Sequence, residues 1–473
     1  MFALTEATSG RGCTRRQWLR LSTLAGLGWT LPPAMGRGDG TRRAQRGFGR
    51  AKSVIVVFAS GGQSQLDMWD PKPAAPADVR GAFQPIATAV PGVQFTEHMP
   101  RVARIADRLT VVRSMSHEDL DHGSAAYLSL TGRYHVRRSA NPPPSATDMP
   151  TLGAILRRVR SSPRFVYDAI HLNGPALVPR EPAPGQDGGI LGRASEPLVI
   201  GNVLDPDAGV PDLTLPVDLP ATRLDGRLRL KESMDGALRN LDGQRTSRDL
   251  SRLYRQVHEM MGSASTREAF QLEAEPDHVR SRYGWNRSGQ ACLLARRLVE
   301  AGVPYINVIW SHSNRGQDVA PDDTDAYGWD THNDIFDALR DRLLPRFDQG
   351  FSALIEDLDQ RGLLDETLVV CLGEFGRAPR VALEPKFAGA SPGRKHWASV
   401  YSAVLAGAGV NRGYVLGASD RLGAEPKTER YGPWDLAATI FHALGIDPEA
   451  HYRDAVDRPF PIATGRPIEG LYG

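Results

Sequence analysis

Along this chain, short runs of apolar, β-branched residues alternate with longer stretches whose apolar positions recur every three or four residues. The first pattern predicts strands over 54–59, 109–113, 169–172, 304–309, 367–372 and 400–406. The second predicts helices over 99–106, 123–130, 152–160, 290–301, 335–360 and 433–444. Strands separated by helices close most easily into a parallel sheet through right-handed crossovers, so the expected fold is α/β, a doubly wound and mostly parallel sheet. A ligand site in such a sheet lies beyond the carboxyl ends of the strands. Two stretches rich in Pro, Gly and Ser, 139–150 and 174–197, read as long surface loops. From 205 to 283 the pattern turns helical and charged, which predicts an inserted helical subdomain. No internal repeat is visible.

With 473 residues the chain can bury a large core. Its 57 basic and 55 acidic residues leave a net charge of +2, which points to no charged partner. No dense basic run occurs outside the N-terminus, so no nucleic-acid partner is expected. The three cysteines, Cys13, Cys292 and Cys371, cannot build a disulfide scaffold. Cys292 lies on a helical pattern and Cys371 in an apolar run, and both are expected to be small buried hydrophobes.

Residues 1–45 read as an address and 46–473 as the folded domain. Thr14-Arg15-Arg16-Gln17-Trp18-Leu19 precedes a modestly apolar stretch at 21–31 and resembles a twin-arginine export signal. The alternative is a basic tail with a chance Arg-Arg pair. The apolar stretch is too short and glycine-rich for a membrane span, and no other run approaches the ~20 residues that one needs. The expectation is an exported protein, periplasmic or extracellular, and envelope-anchored if the leader is retained.

The polar residues that follow the strands carry the candidate chemistry. Ser60 to Asp67 follow the first strand, and His117, Asp119, Asp121 and His122 the second. His312 and then Trp329-Asp330-Thr331-His332 follow the strand at 304–309; Gly373-Glu374-Phe375-Gly376-Arg377 follow that at 367–372. Gly393-Arg394-Lys395-His396-Trp397 stands just before the last strand. Several separate segments thus aim metal-type ligands at one crevice, as a hydrolytic ion requires. Taken alone, Asp330 and His332 read more readily as a helix cap and a surface histidine.

The segment Asp121-His-Gly-Ser-Ala-Ala-Tyr-Leu-Ser-Leu-Thr-Gly-Arg133 resembles the nucleophile helix of the alkaline phosphatase and sulfatase superfamily, which closes at Thr-Gly or Thr-Gly-Arg. That resemblance places His122 at the nucleophile position, with Ser124 two residues on. It also implies an alkaline phosphatase-like sheet and one metal at Asp330, His332 and His396. The superfamily's Ser-Asp-His-Gly is here Gly373-Glu374-Phe375-Gly376, so Glu374 can replace the aspartate while Phe375 cannot ligate. A second metal would draw its ligands from Asp67, His117, His122 and Glu374. The phrases Gly61-Gly62-Gln63-Ser64-Gln65-Leu66-Asp67, Leu130-Thr-Gly-Arg-Tyr134, Trp329-Asp-Thr-His332 and Gly373-Glu-Phe-Gly-Arg377 together look like the sulfatase-like domain of unknown function 1501 family, over nearly the whole chain.

These residues carry open alternatives. His122 is a ligand, a covalent nucleophile or a helix cap. Ser124 is a second candidate nucleophile that needs a base or metal to activate it, or else a capping hydroxyl. Ser64 is open in the same way. Arg133, Arg377 and Lys395 suit the charge of a phosphate or sulfate ester, with Arg377 the best placed, or else form salt bridges. The expected function is a metal-dependent hydrolase of phosphate or sulfate esters, small-molecule or polysaccharide, using a divalent ion such as Zn, Ca or Mn. The competing expectation is a non-catalytic, sulfatase-like envelope protein that binds an anion, glycan or protein partner.

Overall fold

The computed structural model describes residues 46–160, 167–178, 180–205, 268–313 and 327–473. The leader expected at 1–45 and most of the insertion expected at 205–283 lie outside them. One central sheet has eight strands: β1 (Ser53–Phe58), β2 (Thr110–Met115), β3 (Ala169–Leu172), β4 (Leu198–Ile200), β5 (Tyr305–Ile309), β6 (Thr367–Leu372), β7 (Tyr401–Ala406) and β8 (Tyr414–Leu416). Their spatial order is β8-β2-β7-β6-β1-β5-β3-β4. Neighbours are parallel throughout except around β7, which runs antiparallel to both β2 and β6. The sheet is therefore mostly parallel, as the strand and helix alternation predicts.

β1 is buried along its whole length because both faces of the sheet are covered. Ile55 and Val57 pack into one core with Cys292, Leu354 and Ile355, from the helices α3 (Arg287–Ala301) and α4 (Leu344–Gln360). Val54, Val56 and Phe58 pack into the other with Leu130, Ile155 and Ile440, from α1 (His122–Thr131), α2 (Leu152–Val159) and α5 (Pro433–Ala443). Cys292 and Cys371 are free and buried in the first core, and burial raises both thiols far above their usual range. No helix among the described residues is long and apolar enough to cross a membrane.

The helix predicted over 335–360 is interrupted. A turn at Ile335–Asp337 leads into a π-helical segment, Ala338–Leu343, before α4 begins. Pro345 has no amide hydrogen to offer the carbonyl four residues back, which favours a wider turn at that point. Conversely, α1 stops cleanly: Gly132 adopts the left-handed conformation at φ 68° and donates to the Leu128 carbonyl. A Cβ there would stand 2.5 Å from Cβ of Ala437 on α5, so the glycine also sets how closely these helices approach.

The antiparallel course of β7 positions the site. A chain entering β7 arrives at the edge where β1, β2 and β6 end. His396–Trp397 stands there and pairs with Gly376–Arg377, just beyond β6, in a two-stranded ribbon.

Candidate metal centre

Four segments are tied together by backbone before any side chain is considered. Trp329 N donates to the Ser60 carbonyl at 3.0 Å, fixing the 329–332 loop to the end of β1. Arg394 N donates to the Thr331 carbonyl at 3.1 Å, fixing the segment before β7 to the same loop. His117 N donates to the Ala398 carbonyl at 3.0 Å, and this joins the exit of β2 to the approach to β7.

On this frame His122, Asp330, His332 and His396 each offer a ligand atom, all within 4.8 Å of one another. Nε2 of His122, His332 and His396 lie 3.2, 3.1 and 3.3 Å from Oδ1 of Asp330. The Nε2 atoms of His332 and His396 are 2.9 Å apart. Ligand atoms placed tetrahedrally at about 2.0–2.1 Å from a zinc ion would stand about 3.3 Å from each other. The cluster therefore has nearly the spacing that one ion requires.

The hydrogen bonds on the far side of two rings point the same way. His396 donates Nδ1–H to the Leu120 carbonyl at 2.7 Å, which leaves its Nε2 with a lone pair. His122 places Nδ1 2.5 Å from Oε1 of Glu374. Its Nε2 is buried and lies 3.2 Å from Oδ1 of Asp330. That nitrogen and the Nε2 atoms of His332 and His396 all face one oxygen of Asp330, an arrangement in which bonds on the far side of a ring orient it toward a shared ion. His332 is held by its ring, which stacks on Phe387 at 3.8 Å.

Electrostatics separate the group members. Burial opposes the charge on Asp330, but His122 and Arg377 outweigh it and hold the carboxyl well below the usual carboxylate range. Burial likewise opposes a charged His122, yet Asp330 and Glu374 raise it to about 9. Burial, reinforced by the neighbouring His122, lowers His396 to about 3. Three imidazole nitrogens and one carboxylate oxygen suit zinc or another first-row divalent ion. Calcium, which takes six to eight oxygens, does not match this donor set.

The other residues singled out in the sequence stand around this cluster. Arg377 is fully buried: Nη2 donates to Asp330 Oδ1 at 2.8 Å and to the Gly61 carbonyl, Nε to the Gly62 carbonyl at 2.9 Å, and Nη1 to the Arg394 carbonyl at 3.3 Å. Asp67 forms a fully buried, two-pronged ion pair with Arg394, at 2.8 and 3.0 Å, and accepts from Ser64 Oγ at 2.5 Å. His117 contacts the Glu374 carbonyl through Nε2 at 2.6 Å and accepts from Asp119 N through Nδ1 at 3.1 Å, so both ring nitrogens are engaged. Ser124 donates to Asp119 Oδ1 at 2.7 Å and accepts from Ala140 N at 3.2 Å. Arg133 donates to the Pro461 carbonyl, and the exposed Lys395 pairs with Glu384 at 2.9 Å. Glu374 is fully buried, and both its oxygens accept from Gly61 N, at 2.8 and 3.0 Å. Phe375 lies beside the cluster, its ring 4.9 Å from that of His122 and 4.7 Å from that of His396.

Three contributors carry no sequence signal. Arg394 is one of two adjacent basic residues with nothing to set it apart from Lys395, Phe387 a lone aromatic in a loop, and the Leu120 carbonyl belongs to the backbone. Only their folded surroundings give them a role.

The architecture and this cluster define a mixed α/β protein with a candidate metal centre at the sheet edge. Over residues 51–472 the chain matches, and belongs to, the family described as Protein of unknown function (DUF1501). No curated protein matches it. Among solved structures, the chain is similar to i-CgsB in complex with a neocarrahexaose, at 12% identity and TM-score 0.41, covering 84% of this chain and 72% of that one. It is also similar to the PsFucS1 sulfatase from Pseudoalteromonas sp., at 13% identity and TM-score 0.39, covering 92% and 72%. A third is the alkaline phosphatase of the Antarctic bacterium TAB5, at 11% identity and TM-score 0.32, covering 77% and 94%.

Proposed function

We propose that this protein is a metal-dependent hydrolase of phosphate or sulfate esters, exported by the twin-arginine route. The observation that carries the proposal is the convergence of three imidazole Nε2 atoms on one oxygen of Asp330. His122, Asp330, His332 and His396 would hold the ion, which when bound supplies Lewis acidity toward an ester oxygen or a water. Arg377 fixes the carboxylate, and the Leu120 carbonyl fixes the tautomer of His396. The fully buried Phe375 gives the cluster a dry wall, where charge interactions are strong. His396 has the most exposed side chain of the four, at 20%, so a substrate would approach past it, between the half-exposed Leu120 and Phe387.

A second reading has one specific support. Four protein ligands form a closed set, as structural sites do, whereas catalytic zinc sites keep a position open. On that reading the ion organises a surface that binds an anion, a glycan or a protein partner.

The test begins with elemental analysis of protein purified from an exporting host, beside the Asp330→Ala, His396→Ala double variant. One transition-metal ion per chain, absent from the variant, is expected. A wild-type chain free of metal would remove the basis of the proposal. Aryl phosphate, phosphodiester and sulfate substrates, assayed at neutral and alkaline pH because the ligands must lose their protons, then divide the readings. Metal-dependent turnover supports the hydrolase, and a loaded protein that turns over none of them supports the binding protein.

A further inference from the structure

We infer that Glu374 is a positioning residue which makes His122 a metal ligand, and that the centre takes a single ion. The inference rests on the metal-centre reading above and concerns how many ions the centre holds and what orients its ligands. Glu374 occupies the place where the superfamily resemblance implies a direct ligand, but it is not among the four residues whose ligand atoms converge. Both its oxygens accept from Gly61 N, and Oε1 also lies 2.5 Å from Nδ1 of His122.

This arrangement is fixed from three sides. Gly61 has φ 113° and Gly62 φ 77°, backbone that turns the Gly61 amide toward the carboxylate and disfavours any side chain. His117 holds the Glu374 carbonyl through Nε2, so the residue's backbone is anchored as well as its side chain. Phe375 follows directly, with its ring against those of His122 and His396. Held in this way, a carboxylate that binds Nδ1–H of His122 forces the lone pair of that ring onto Nε2, where the other three ligand atoms converge.

The same contacts use up the ligands that a second ion would need. Asp67 is committed to Arg394, both ring nitrogens of His117 are engaged, and Phe375 offers no donor atom. Among the described residues, His122, Asp330, His332 and His396 are the one cluster with metal-ligand spacing.

The experiment titrates the metal-free full chain with Zn²⁺ against a chromophoric chelator, comparing wild type with Glu374→Gln, and records thermal unfolding of both metal-free proteins. An amide at 374 keeps one acceptor oxygen in place of two and carries no charge, so it holds Nδ1–H of His122 more weakly. One ion per wild-type chain is expected, with affinity lowered about 10- to 100-fold in the variant, as for other residues that orient a metal-bound histidine. A variant with unchanged affinity overturns the inference while leaving the metal centre standing. Two ions per wild-type chain, falling to one in the variant, overturns it in favour of Glu374 as a direct ligand. A wild-type chain that binds no ion removes the metal centre itself, and the inference with it. Should Glu374→Gln fail to fold, nitrogen NMR of the zinc-loaded wild type decides: a proton on Nδ1 of His122 is expected, and a proton on Nε2 overturns the inference.

Discussion

His122 and His396 sit 4.3 Å apart, ring to ring, yet their surroundings push them toward opposite charge states. Glu374, which faces His122 alone, and the effect of His122 on its neighbour make the difference, whereas the charge of Asp330 is shared, one of its oxygens meeting three imidazoles and the Arg377 guanidinium. Removing that charge leaves Arg377 buried without its anionic partner. Asp330→Asn is therefore expected to destabilise the metal-free protein by roughly 3–5 kcal/mol, the usual cost of breaking a buried pair. His396→Ala removes a neutral, partly exposed ring and is expected to cost much less. Both should lose the ion. Chelator-treated denaturation curves of the two variants check this, and equal destabilisation would show that Arg377 does not depend on Asp330.

The elements deliver these residues by different means, and this governs what was legible in the sequence. β1, β5 and β6 read clearly because strands covered on both faces become continuous apolar runs. β4 and β8 have three residues each at the sheet margins, too few to form a pattern. Asp330, His332 and His396 stood out because they follow or precede recognisable strands. The partnership of Asp67 with Arg394 did not, since 327 residues separate them and the pattern reads Asp67 as a candidate ligand with no sign of its cationic partner. That pair joins the loop after β1 to the segment that carries His396. Asp67→Ala should cost roughly 3–5 kcal/mol by leaving Arg394 buried and unpaired. It should also weaken zinc binding, although Asp67 touches no ligand. Unfolding and metal titration of this variant read the two effects separately, and full affinity in a destabilised protein would detach the pair from the site.

For the molecule as a whole, acid sensitivity has a source apart from the metal centre. His171 on β3 is completely buried, and its Nε2 has no hydrogen-bond partner. Burial lowers it to about 4, from 6.5. Between those values the unfolded chain binds the proton and the folded one does not, so stability falls as pH drops through 6.5 toward 4. At about 1.4 kcal/mol per pH unit the loss approaches roughly 3 kcal/mol. His171→Leu should remove this part of the slope. Denaturant midpoints at pH 7, 5 and 4 measure it, and parallel pH profiles would exclude His171 as the source.

The antiparallel course of β7 also has a consequence in time. His122 lies early in the domain and His396 late, so during synthesis the first ligand emerges long before the last. A ribosome stalled ahead of His396 would hold a domain with most of its sheet and an incomplete ligand set. An ion at the proposed centre would therefore be taken up late, when the final third of the domain closes onto the rest. In a chain exported after folding, the metal would be selected by the compartment that made the protein, and the destination would inherit that choice.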